Sequence, residues 1–81
     1  MPELRKSKLD LYVSEQVKRK RLAVGMSQAI LAVKLNVSDA FIGQAEQPNH
    51  KTKYNLSHLN KIAQIFKCKI QDFLPEEPFE E

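Results

Sequence analysis

The chain has 81 residues, 42% of them hydrophobic, with a formal net charge of +3 and one cysteine. That length bounds it to one domain with a modest core. No apolar run approaches a membrane span, the N-terminus MPELRKSKLD has no apolar signal segment, and Cys68 has no partner for an internal disulfide, a set of features that suits a reducing cytoplasm.

Charge is unevenly placed. All 13 basic residues precede residue 75, against six acids there, so residues 1–74 carry +7, while Glu76, Glu77, Glu80 and Glu81 make the tail acidic. A small basic domain suits a polyanionic partner. The same count also fits an ordinary solvated surface.

Residues 1–8 read as a flexible basic arm. From Leu9 to about Val24, Leu9, Val13, Val17 and Val24 fall near one face of a helix, which Gly25 stops. The next stretch, MSQAILAVKLNVSDAFIGQAE, reads as two short helices joined by a turn at Asn36-Val37. Ser27 is placed to cap the first (about Ser27–Leu35) and Ser38 the second (about Ser38–Gln47). Met26 and Leu31 bracket the first cap, and Val37 and Ile42 the second, in the register of a hydrophobic staple. Helices this short cannot bury their own apolar faces, so they need a bundle around them. A helix-turn-helix meets that need, and its second helix is often presented to the DNA major groove.

Pro48 ends the third helix. A polar, basic loop follows through Lys53, and Asn55 caps a fourth helix to about Phe66, with Tyr54 and Leu59 in staple register. A short fifth helix is expected around Ile70, Phe73 and Leu74, stopped by Pro75. The domain is therefore expected over residues 9–74, with the acidic tail at 75–81. No strand-like alternation, repeat or low-complexity block occurs. The fold expected is all-α, a compact bundle of five helices.

These residues resemble the phage-repressor and Cro-like helix-turn-helix domains, the XRE family. The resemblance rests on QVKRKRLAVGMSQAILAVKLNVSDAFIGQAE and on YNLSHLNKIAQIFKCKIQDFL, and spans about residues 13–74. It implies a DNA-binding domain of five helices that regulates transcription, usually as a dimer on a two-fold operator. It also implies that Gln28 contacts a phosphate, that Arg21 and Glu46 form a structural salt bridge between helices one and three, and that the loop before helix four touches the DNA backbone.

The exposed part of the recognition helix holds Asp39, Ala40, Phe41 and Gln44, the candidate base readers. The Gln44 amide can pair with adenine, and Asp39 can accept from cytosine N4. Asp39 also suits a helix N-terminus electrostatically. Phe41 fits a thymine methyl group or the gap between helices two and three. Gly43 weakens the helix but permits close approach of a sugar-phosphate chain. Backbone amides at Ser27, Gln28, Ser38 and Asn55, with Lys51 and Lys53, are the candidate phosphate contacts. Lys34 and the basic arm are weaker ones, and Lys18-Arg19-Lys20-Arg21 winds around its helix, so it cannot meet one partner. Leu22, Ile30 and Val33 stand where the family often has polar groups. Packing of Ile30 and Val33 against Leu9 or Tyr12 is expected, with self-association as the alternative.

No cofactor and no metal are expected: His50 and His58 are isolated, and neither zinc spacing nor a Gly-rich phosphate loop occurs. Catalysis is not expected. The partners expected are double-stranded DNA and a second copy of the chain on DNA, with no membrane. The alternative is a protein-binding module of the same fold, an antitoxin-like or regulatory subunit.

Overall fold

Capping chemistry sets the boundary of every helix. The structure, a computed structural model, describes residues 6–80. Four α-helices, α1 (Lys8–Ala23), α2 (Gln28–Leu35), α3 (Asp39–Glu46) and α4 (Leu56–Phe66), are followed by one 3-10 turn over Ile70–Phe73. Among the described residues there is no strand, and no helix is long and apolar enough to cross a membrane.

Each α-helix begins on a side-chain oxygen that accepts from a backbone amide three residues on, which removes an orphan donor. Ser27 accepts from Ile30 N–H and Ser38 from Phe41 N–H, both at 3.1 Å. Two helices add the reciprocal bond. Ser7 accepts from Asp10 N–H while the Asp10 carboxylate accepts from Ser7 N–H. Burial pushes the Asp10 carboxyl up, but the Ser7 bonds and Lys53 outweigh it and hold its pKa below the ordinary value. At α4, Asn55 Oδ1 accepts from His58 N–H at 2.7 Å and His58 Nδ1 accepts from Asn55 N–H at 3.0 Å. His58 is therefore half-buried and tied to the helix start, not the isolated surface residue that its sequence context suggests.

Helix ends repeat one device. After α1, Gly25 takes φ +72° while its N–H reaches Leu22 O and Met26 N–H reaches Arg21 O. The same pair of bonds closes α2 at Asn36 (φ 64°) and α4 at Lys67 (φ 58°). All three are Schellman closures, which demand one left-handed residue. Asn tolerates that region, and Gly25 enters it without penalty. The α3 helix ends differently. Gln47 is extended before Pro48, as the residue before a proline must be.

The expected arm and fifth helix both need correction. Residues 1–5 of the arm lie outside the described residues, but Lys6, Ser7 and Lys8 are part of the fold: Lys6 is buried, Ser7 caps α1 and Lys8 is its first residue. The chain from Ile70 is a 3-10 turn rather than an α-helix. Lys67 closes α4 and Pro75 forbids continuation, so too few residues remain to repay helix nucleation. Two i→i+3 bonds form instead, Asp72 N–H to Lys69 O and Leu74 N–H to Gln71 O. Phe73, fully buried against Phe66, anchors the turn.

The core gathers Val17, Leu31, Ile42, Ile62 and Phe73, each fully buried, with Leu35, Ala45 and Leu59 around them. Met26 and Val37 pack against this cluster from the staple positions. The α2 helix turns Leu31, Ala32 and Leu35 inward, so Ile30 and Val33 fall on its back, 49% and 77% exposed. They do not pack internally as expected. Tyr12 of α1 instead meets Phe79 of the acidic tail edge-on, with centroids 5.4 Å apart.

One polar group crosses the core. Arg21 donates Nε to Glu46 Oε2 (2.7 Å), a terminal nitrogen to Glu46 Oε1 (3.0 Å) and the other to Met26 O (2.8 Å). The two side chains are 7% and 4% exposed, so each charge depends on the other. Arg21→Met should cost about 3–5 kcal/mol in urea unfolding, and Arg21→Met with Glu46→Leu should recover most of it; a single-mutant loss below about 1 kcal/mol contradicts this reading.

Burial lowers the His58 pKa from 6.5, and the Asn55 N–H needs an unprotonated Nδ1. The unfolded chain therefore binds the proton more readily, so stability is full above about pH 6.5 and falls as pH drops toward the folded value. His58→Gln keeps an acceptor for Asn55 N–H without a titrating group. Between pH 7.5 and 5 its melting temperature should fall less than that of the wild type; parallel curves would exclude His58 as the source.

Candidate nucleic-acid interface

Three segments that lie apart in sequence meet around α3. The first is the start of α2. Gln28 Nε2 donates to Glu46 Oε1 at 2.9 Å, and a Cβ built on Gly43 would stand 3.6 Å from Gln28 Oε1. The exposed first turn of α2 thus lies beside the middle of α3. The second is the loop before α4. Thr52 Oγ1 donates to Gln44 Oε1 at 3.3 Å, and Thr52 N–H donates to His50 Nδ1 at 3.0 Å. The third is the N-terminal approach to α1. Lys6 Nζ donates to Gln47 O at 2.7 Å, His50 O at 2.5 Å and Gln44 O at 3.4 Å. Burial lowers the Lys6 pKa, the Asp10 carboxylate opposes that shift, and the carbonyls favour the charged form.

The candidate base readers divide. Asp39 and Ala40 are exposed at the first turn of α3. Gln44 is half-buried, with its amide oxygen turned to Thr52. Phe41 is half-buried in an aromatic cluster, 4.9 Å from the His58 ring and 5.9 Å from Tyr54. Its ring therefore packs between α3 and the start of α4. Tyr54 is buried beneath it. Burial and the Glu46 charge push its hydroxyl pKa up, against the opposing pull of Arg21.

The candidate phosphate contacts divide too. Ser27, Gln28 and Ser38 are exposed at the starts of α2 and α3, and Lys51 is exposed on the loop. Each serine hydroxyl is used as an acceptor and keeps its proton to donate. Gly43 is half-buried. Lys53 is exposed but pairs with Asp10 at 3.1 Å. Asn55 N–H is spent on His58 Nδ1, so it is not available to an anion. In the basic run, Arg19 pairs with Glu15, Lys20 lies 3.9 Å from Asp72, and Arg21 is buried.

Sequence reasoning passed over Thr52 and His58 as site residues, and read Lys6 only as part of a basic arm with a weaker claim to DNA, not as a buried contact of residues 44–50. The Asn55-x-x-His58 and Ser7-x-x-Asp10 spacings were signals for a reciprocal cap. Nothing in the sequence links Lys6 to residues 44–50, because that contact depends on how α1 enters the bundle. Among the described residues, no group of three or more His, Cys, Asp and Glu is placed to hold a metal ion.

No curated protein matches this chain. Among solved structures, hydroxypropylphosphonic acid epoxidase from S. wedmorenis is similar at TM-score 0.74 and 23% identity, over 86% of this chain and 36% of that one. The restriction-modification controller protein C.AhdI from Aeromonas hydrophila is similar at TM-score 0.69 and 19% identity, over 79% of this chain and 94% of that one. An HTH_3 family transcriptional regulator from Vibrio cholerae is similar at TM-score 0.69 and 26% identity, over 80% of this chain and 35% of that one. This chain thus spans about a third of the epoxidase and of the Vibrio cholerae regulator. The Cro/C1-type helix-turn-helix DNA-binding domain matches over residues 16–78. With its two capped helices locked by Arg21 and Glu46, the chain belongs to that family.

Proposed function

We propose that this chain binds double-stranded DNA sequence-specifically and regulates transcription in the cytoplasm, with α3 in the major groove. One observation carries the reading: the Gln28–Glu46 and Gln44–Thr52 bonds draw the start of α2, the last turn of α3 and the loop before α4 together. A duplex needs that combination, with anion-binding helix starts flanking a helix that reaches base edges. Gln44 and Asp39 are the base readers on this proposal, with Ala40 beside them. Phe41 chiefly supports the helix. The amides of Ser27, Gln28 and Ser38 hold phosphates, and Lys51 supplies charge. Lys53 contributes only by leaving or sharing Asp10. The C.AhdI and Vibrio cholerae likenesses support a regulator. No catalytic step is assigned to the chain.

Pairing of two copies on a two-fold operator belongs to the same proposal, with half-sites roughly 34 Å or a multiple apart. A second reading is docking to protein. It is favoured by the exposure of Leu22 (58%), Ile30 (49%) and Val33 (77%), and by the occurrence of this fold within an enzyme chain. Salt separates the two readings. Affinity for DNA falls steeply with added salt through counterion release, whereas an apolar interface holds.

The central test is selection of bound duplexes from a random pool at two salt concentrations. Recovery of a consensus supports the reading, and no enrichment at low salt overturns it. On that consensus, Gln44→Ala should lose roughly 1–3 kcal/mol of discrimination at one base pair; equal loss on random DNA would sink the base-reading role. Lys51→Ala should weaken all duplexes alike and reduce the salt slope by about one, and an unchanged slope would remove Lys51 from the phosphate contacts.

Gly43→Ala separates packing from approach. The added methyl meets only Gln28 Oε1, at an ordinary contact distance, so the free protein should gain roughly 1 kcal/mol of stability. Affinity for the selected duplex should nevertheless drop. A variant that is more stable and binds as well as the wild type would show that Gly43 does not admit the backbone.

A further inference from the structure

We propose that Lys6 is a positioning residue for the DNA-reading face, acting through the loop that holds Gln44. The inference rests on the DNA-binding reading above and adds to it a determinant outside the helix-turn-helix. Lys6 is a charged side chain left only 7% exposed, in a chain whose other lysines have solvent within reach. Its ammonium sits on the carbonyls of Gln44, Gln47 and His50. Two of these, Gln44 and Gln47, belong to the end of α3, where the helix dipole is negative, and each also accepts one backbone N–H, from Gln47 and His50 respectively. The third belongs to the loop after Pro48. One cation therefore ties the end of the recognition helix to the first turn of the loop.

The tie continues to the side chain of Gln44. His50 N–H donates to Gln47 O, His50 Nδ1 accepts from Thr52 N–H, and Thr52 Oγ1 donates to Gln44 Oε1. The Thr52 hydroxyl thereby turns the Gln44 amide so that its NH2 is left for the duplex. A donor in that place selects the acceptor atoms of the major groove, N7 of a purine, O6 of guanine or O4 of thymine. The α3 helix has no basic residue in its last turn and no side-chain cap there of its own. Lys6 supplies that charge from 38 residues away in the chain. Its loss leaves three carbonyls without their shared donor, and the loop that orients Gln44 without its anchor.

The test uses the full chain and three variants. Lys6→Met keeps an unbranched side chain, one atom shorter, and removes its charge. Thr52→Val removes the hydroxyl, and Thr52→Ser retains it. In the free protein, amide exchange at Gln47, His50 and Thr52 should quicken about tenfold or more in Lys6→Met, while exchange in the middle of α1 and α4 stays near that of the wild type. On the duplex selected by the wild type, Lys6→Met and Thr52→Val should lose discrimination by about two- to tenfold, at the base pair that Gln44→Ala affects and at no other. Thr52→Ser should restore it. In a Gln44→Ala background neither variant should change discrimination further, because its route runs through that side chain. A merely structural lysine would weaken all duplexes alike and add its effect to that of Gln44→Ala, which would overturn the proposal. Unchanged exchange at Gln47 and His50 in Lys6→Met would overturn it with no DNA present. If the wild type itself selects no duplex, the DNA reading fails, and the exchange data alone judge the clamp.

Discussion

The buried pair of Arg21 and Glu46 is the constraint on which the rest of this small fold depends. An arginine at the end of α1 meets a glutamate at the end of α3, while its third contact reaches Met26 O in the turn that leads to α2. The carboxylate in turn accepts from Gln28 in the first turn of α2. Three helix termini and one connecting turn thus share one ion pair. Eight-residue helices have few apolar contacts with which to hold an angle, and hydrophobic packing is non-directional. A bidentate guanidinium–carboxylate contact is directional. It fixes the angle that the apolar faces alone leave loose. Its cost is the desolvation of two charges, which explains why both ends are so fully hydrogen-bonded.

From that lock the candidate interface follows by short steps. Glu46 holds Gln28, so the exposed amides of α2 face the middle of α3, where Gly43 keeps the surface low. Beyond Glu46 the chain must turn at Pro48, and the loop folds back until Thr52 reaches Gln44. Lys6 closes this loop from the other side. The Phe41, Tyr54 and His58 rings fill the space between α3 and α4. Phe41 is thereby committed to support, and the helix presents Asp39, Ala40 and Gln44. The acidic tail is held to α1 through Phe79 and Tyr12, which accounts for an aromatic residue in an otherwise charged segment.

Much of the architecture was legible because it is local. Ser27, Ser38 and Asn55 cap helices where their spacing to the apolar residues predicts, and Gly25 and Pro48 stop helices for backbone reasons that need no tertiary context. Staple pairs flank the caps for the same reason. The misreadings have a common origin in choices between local and global order. Residues 70–74 carry a helical pattern but lie between a left-handed residue and a proline. Ile30 and Val33 are apolar but on the wrong side of α2. Lys6 and Lys8 look like a charged arm, although Ser7 and Asp10 form a cap that the spacing already contained.

Sequence alone determined where α2, α3 and α4 start, where Gly25 and Pro48 stop helices, and that two short helices meet at a turn, because caps, stops and helical periodicity act within a few residues. The spacing of those residues also identified the family. Tertiary structure alone decided that Lys6 clamps the end of α3, that Asn55 spends its amide on His58, that Lys53 turns to Asp10, and that Thr52 orients Gln44. Each of these contacts joins a side chain to a partner chosen by the packing angle of two elements, or by which of several acceptors comes within 3 Å or so once the loop has closed. No periodicity along a chain encodes such a distance.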